Sequence, residues 1–104
     1  VQEALEELKT GLRGQFGERL LRVVLFGSYA QGVAHAESDV DVLAVVSRRE
    51  PRDRHRAVDA AVEVMLRRPE VVLSVLVMST EELGKLRAQE RRLARDIDRE
   101  GIEL

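Results

Sequence analysis

Three short runs of branched and aromatic residues, Leu20 to Phe26, Asp39 to Val46 and Val71 to Met78, set the narrowest limits on this chain. Each is the length of a strand and is bounded by turn-forming residues, whereas the segments between them repeat their apolar positions at helical spacing. Strands separated by helices imply an α/β (α+β) domain, with helices packed on a small mixed β-sheet. The only aromatic residues are Phe16, Phe26 and Tyr29, so the core must be built mainly from Val and Leu. Such a composition suits buried strands.

The helical segments read as follows. Leu5, Leu8, Leu12 and Phe16 share one face of a helix over residues 2–17, opposite Glu3, Glu6, Glu7 and Lys9, which frays near Gly14 or Gly17. A short helix over 28–33 follows the first strand, with Ser28 near its N-terminus, and decays through Gly32, His35 and Ala36. Arg52 to Arg68 presents Ala57, Ala60, Ala61, Val64 and Met65 to the core and stops at Pro69. Ser79 or Thr80, followed by acidic residues, caps one long helix to about Arg99, with Leu83, Leu86, Leu93 and Ile97 as its stripe. Gly101 ends that helix, and Ile102 to Leu104 read as a brief final strand.

With 104 residues the chain is expected to be a single domain, residues 1–104. The charges nearly balance, 17 basic against 19 acidic, which disfavours a surface that coats nucleic acid. No apolar run approaches the roughly 20 residues of a membrane span. Glu3, Glu6 and Glu7 stand where a signal-peptide core would be apolar. The absence of Cys removes disulfides and thiolate chemistry and suits a cytoplasmic setting. The run Arg48, Arg49, Arg52, Arg54 and Arg56, interleaved with Glu50 and Asp53, reads as a solvated loop and helix start. His35 and His55 read as surface residues.

The chemistry concentrates between residues 27 and 41. Side chains alternate across a strand, so Asp39 and Asp41 share a face, about 7 Å apart along the backbone. Two carboxylates at the entrance to an apolar strand, with no Lys or Arg in it, are costly unless solvated, paired or bound to metal. Hard oxygen ligands in a partly hydrated site suit Mg²⁺. Gly27 and Ser28 supply the complementary half: a glycine after a strand admits a ligand, and the following helix start offers free amides and a hydroxyl to phosphate.

The stretch Gly27-Ser28, ten residues, then Asp39-Val40-Asp41 resembles the signature of the DNA polymerase beta-like nucleotidyltransferase superfamily, in particular its minimal nucleotidyltransferases. Average residue usage would produce those four positions by chance roughly once in a thousand chains of this length. The resemblance covers essentially the whole chain. It implies the nucleotidyltransferase fold and the transfer of a nucleoside monophosphate, AMP from ATP, to an acceptor hydroxyl. Gly27 and Ser28 would be nucleotide-binding residues, and Asp39 and Asp41 catalytic ligands of Mg²⁺. It further implies a nucleoside triphosphate substrate and a small helical HEPN-type partner in a toxin–antitoxin pair; a homo-oligomer stays open.

Two departures stand out. Relatives usually carry a third carboxylate on the next strand, where this chain has only Ser74 among apolar residues, and many carry a basic residue where Gln31 stands. A serine is no carboxylate base at neutral pH. The alternative expectation is therefore a catalytically weak or inactive nucleotide-binding module that acts through protein contact.

Overall fold

The computed structural model describes residues 1–32 and 39–104. Helix α1 (Gln2–Phe16) leads through a 3-10 turn (Gly17–Arg19) into β1 (Leu20–Phe26) and the one-turn helix α2 (Ser28–Gln31). Strand β2 (Val40–Val46), helix α3 (Asp53–Arg67) and strand β3 (Leu73–Ser79) follow, then α4 (Thr80–Ala88), α5 (Arg92–Glu100) and β4 (Ile102–Glu103). The sheet order is β3-β2-β1-β4. Strand β1 runs antiparallel to both β2 and β4, while β2 and β3 are parallel. That parallel pair requires a crossover, which α3 provides. The mixed sheet packed by helices is the architecture expected.

Alternation along the strands divides the core into two layers. Val23, Leu25, Val42, Ala44 and Val46 face α1 and α3, where they meet Leu8, Leu12, Phe16, Ala57, Ala60 and Val64. Val24, Leu43 and Val45 point the other way, onto Leu83, Ala94 and Ile97 of α4 and α5. Removing each of the Val, Leu, Ile and Phe side chains from water stabilises the fold by roughly 1.5–3 kcal/mol before the entropy of ordering it is subtracted. Among the described residues no helix is long and apolar enough to cross a membrane.

Several boundaries shift by a residue or two, and Asp39, expected to open the second strand, lies just before it. The third strand begins at Leu73 rather than Val71, because Val71 N–H closes a turn onto Arg68 O at 3.0 Å after Pro69. Ser79 then serves as both the last residue of β3 and the N-cap of α4, in a capping box with Glu82. The largest difference is the expected single helix to Arg99, which is two helices. Arg91 N–H bonds Leu86 O and Glu90 N–H bonds Arg87 O, both at 3.0 Å, forming a Schellman turn with Glu90 left-handed at φ 55°. A straight helix over residues 80–99 would be about 30 Å long and would overshoot strands about 23 Å long. The turn instead folds Leu93 and Ile97 back onto the same sheet face as Leu83 and Leu86.

Candidate functional site

The antiparallel register of β1 and β2 pairs Phe26 with Asp41. Gly27, the next residue of the chain, therefore lies beside the Asp41 carboxylate at the C-terminal end of β1. Its φ of 75° is a conformation that side chains rarely adopt, and a Cβ there would collide with the carboxylate oxygen of Asp41. Gly27 is the N-cap position of α2, so Ser28, expected near the start of the helix, is its first residue. The amides of Ser28, Tyr29 and Ala30 precede the first intrahelical bond, Gln31 N–H to Gly27 O at 3.1 Å. Gly32 ends the helix at φ 74°. Val33, His35 and Ala36, and with them the expected end of this helix, lie outside the described residues.

Asp39 immediately precedes β2 and is exposed, whereas Asp41 within the strand is half-buried. Burial raises the Asp41 carboxyl above the usual carboxylate range, and the neighbouring charge of Asp39 adds to the rise. Among the described residues no Lys or Arg forms an ion pair with either acid, nor does a third His, Asp or Glu join them in a three-ligand cluster. Two hard carboxylate oxygens whose charge is under strain fit a divalent cation of the Mg²⁺ type, because a positive charge would relieve both the desolvation and the repulsion. The remaining coordination positions would fall to water or phosphate.

The parallel register of β2 and β3 sets Asp41 beside Ser74. Partners in register share a sheet face, so Ser74 is the β3 side chain nearest in register to Asp41. It is exposed, an edge-strand hydroxyl rather than a core serine. Tyr29 and Ala30 pack against the larger core cluster, which makes the tyrosine a packing residue. His55 lies exposed on α3, 3.5 Å from Asp59.

A second charged centre, which the sequence reading passed over, occupies the opposite end of the β1–β2 pair. Asp53 is fully buried and takes two bonds from the Arg19 guanidinium, Nη2 to Oδ1 at 2.7 Å and Nη1 to Oδ2 at 3.0 Å. Arg56 Nη1 adds a third at 2.9 Å and Glu50 N–H a fourth at 2.7 Å. The Arg19 bonds dominate in holding its carboxyl down at about 2. The visible signal was an aspartate on the apolar side of a helix start. Asp53 lies four residues before Ala57 and seven before Ala60, on the stripe that the Ala and Val positions define.

These features define an α+β domain with a glycine turn and two aspartates gathered at one end of a mixed sheet. The nucleotidyltransferase domain family matches residues 5–99, and the chain belongs to it. Two proteins of Methanocaldococcus jannaschii that carry the provisional name protein adenylyltransferase are similar in sequence. One is 32% identical over 82 residues, 77% of this chain and 56% of the relative. The other is 31% identical over 84 residues, 81% of this chain and 79% of the relative. The chain thus spans little more than half the length of the first of them. Among solved structures, a toxin–antitoxin crystallised with AMP-PNP superposes with a TM-score of 0.60 at 20% identity, over 94% of this chain and 70% of that one. A nucleotidyltransferase-like protein from Sulfolobus solfataricus gives a TM-score of 0.58 at 18% identity, over 97% and 76% respectively. These likenesses show the nucleotidyltransferase fold.

Proposed function

We propose that the domain transfers AMP from ATP to a hydroxyl of a protein acceptor, and that Gly27, Ser28, Asp39 and Asp41 carry the reaction. The observation that carries this reading is the approach of Gly27 to Asp41, so close that a Cβ would collide with the carboxylate, which sets the start of α2 directly beside the acid pair. Ser28 and the free amides of α2 would hold the triphosphate tail. Asp39 and Asp41 would hold Mg²⁺, which, when bound, supplies positive charge against the phosphates of the in-line transition state and the leaving pyrophosphate. The relatives named protein adenylyltransferase support a protein as acceptor. The fold neighbours from toxin–antitoxin complexes support a partner protein, for which a small helical HEPN-type chain is the expectation. One of those neighbours was crystallised with two aspartates, two positions apart, changed to glutamate, which supports the weight placed on such a pair. A cytoplasmic setting accords with this reading.

Ser74 favours a second reading, a nucleotide-binding module with weak or no turnover. A hydroxyl in register with Asp41 can orient an acceptor by hydrogen bonding but cannot accept its proton as a carboxylate would.

An amide-resolved NMR titration with ATP, with and without Mg²⁺, tests the binding step on the parent and on Asp39→Asn/Asp41→Asn. Shifts at Gly27, Ser28, Asp39 and Asp41 that need Mg²⁺ and vanish in the double variant are expected; no movement at millimolar ATP would remove the proposal. Ser74→Asp separates the two readings. A large gain in label transferred from α-labelled ATP to a partner protein marks a weakened enzyme, and a parent already active at the same rate dismisses the weak-module reading.

A further inference from the structure

The 15 arginines of the chain are not distributed evenly between paired and unpaired states. Arg19, Arg22, Arg48, Arg49, Arg56, Arg67, Arg68, Arg87 and Arg92 each meet a carboxylate. The run over residues 48–56, the obvious basic feature of the sequence, is thus largely neutralised by Glu50, Asp53 and Glu82. Of the six others, Arg91, Arg95 and Arg99 gather around one pocket. Arg95 and Arg99 stand four residues apart on α5 and Arg91 is its N-cap; the three line a pocket of about 390 Å³ against α4, and have no carboxylate partner among the described residues.

Arg95 and Arg99 are like charges at i and i+4, which destabilises an isolated helix, and a third positive charge at the N-cap adds to the burden. The pocket contains the means of relieving this and does not use it. Asp98 is held by Arg87 through Nε at 2.9 Å and Nη2 at 2.8 Å, and that pairing, with the hydrogen bond its main cause, keeps the Asp98 carboxyl below the usual range. Glu90 sits at the pocket rim as the left-handed residue of the Schellman turn, and its carbonyl, not its carboxylate, receives Arg95 Nη2 at 3.2 Å. A non-glycine residue in that conformation costs about 1–2 kcal/mol. The turn it makes is what brings α4 and α5 together around the pocket.

We infer that this α4–α5 pocket binds a ligand carrying consecutive phosphate groups, with Arg91, Arg95 and Arg99 as its donors. Guanidinium groups match phosphate oxygens in a two-pronged geometry, and the four residues from Arg95 to Arg99 advance about 6 Å along the helix, so that these long side chains can reach separate phosphate groups of one ligand. Ala94 contributes a small floor that leaves the row accessible. Such phosphates can come from a nucleotide tail or from the backbone of a single-stranded polynucleotide. No lining residue is shared with Gly27, Ser28, Asp39 or Asp41, so the site does not depend on the proposed reaction, and with guanidinium groups as its donors it is expected to bind without a divalent cation.

The test is a titration in EDTA with inorganic tripolyphosphate, read by amide-resolved NMR, on the parent and on Arg91→Gln/Arg95→Gln/Arg99→Gln. Shifts confined to residues 87–99 are expected, with affinity falling by about tenfold or more in the triple variant. They persist in Asp39→Asn/Asp41→Asn. Arg95→Gln alone, which removes a single charge, keeps the test sound if the triple variant folds poorly, and should weaken binding measurably. Arg52→Gln/Arg54→Gln removes exposed arginines elsewhere; an equal loss in that variant, or no shift at residues 87–99 in the parent, overturns the inference. A parallel titration with a short oligouridylate separates the sources. Tighter binding of the oligomer assigns the site to a strand backbone, and tighter binding of tripolyphosphate assigns it to a nucleotide tail.

Discussion

Asp53 and Asp41 occupy opposite ends of the same pair of strands and are treated in opposite ways. Asp53 is fully buried, receives four hydrogen bonds, and has its carboxyl held down at about 2 by Arg19 and Arg56. Asp41 is only half-buried, yet its carboxyl is pushed up, because burial is compounded by Asp39 rather than offset by a cation. Burial alone does not decide the fate of a carboxylate; the surrounding donors do. One acid closes the structure, locking the 3-10 turn, the loop after β2 and the start of α3 together. The other is left with a need that a ligand can meet.

The sharpest way to break this contrast is Asp53→Ala, which leaves Arg19 only Glu50 and the Arg48 carbonyl as partners, removes one acceptor of Arg56 and leaves Glu50 N–H without its acceptor. It should cost about 3 kcal/mol in urea denaturation, and a loss under 1 kcal/mol would demote the centre to a surface ion pair. Gly27→Ala attacks the other end. Its positive φ and the collision with Asp41 should cost about 1–2 kcal/mol and weaken Mg²⁺-dependent ATP binding, measurable by calorimetry on the same sample.

Acid titration sharpens the contrast through linkage. The Asp53 carboxyl is lower in the folded chain than in the unfolded one, so its contribution is complete above pH 4 and is lost as the pH falls from about 4 to about 2. Screening by its partly exposed arginine partners limits the loss to about 1–2 kcal/mol. Asp41 has the reverse sign: its raised carboxyl favours the fold at low pH and burdens it once ionised. Asp41→Asn should therefore leave neutral-pH stability unchanged or higher by up to about 0.5 kcal/mol while abolishing the Mg²⁺-dependent shifts. A clear drop in melting temperature would mean that Asp41 supports the fold after all.

Much of this arrangement was legible in the text of the chain. The span Leu20–Phe26 is a strand residue for residue, and Ser79 caps α4 as its hydroxyl and the glutamate three positions on suggested. The motif spacing grouped Gly27 with Asp41, which the β1–β2 register brings close, and Ser74, the polar residue read in the third strand, falls beside Asp41 in register. The break between α4 and α5 was not legible, because the usual mark of a left-handed helix end is Gly or Asn and the chain uses Glu90. Asp53 carried a signal in its place on the α3 stripe, but its partners did not. Its chief partner, Arg19, lies 34 residues away, so its neighbours in sequence, all polar, made it look solvated.

The seven-residue β1–β2 pair that separates the two acids has a consequence for how such a chain can change. Strands of that length put about 20 Å between the centres, well beyond the range of roughly 10 Å within which substitutions interfere with one another. Acids can be added or removed around Asp41, and a serine can stand at position 74, while the anchor at Asp53 registers nothing. Stability and chemistry are then separate inheritances, and one end of the sheet is free to drift or be repaired without the other being renegotiated.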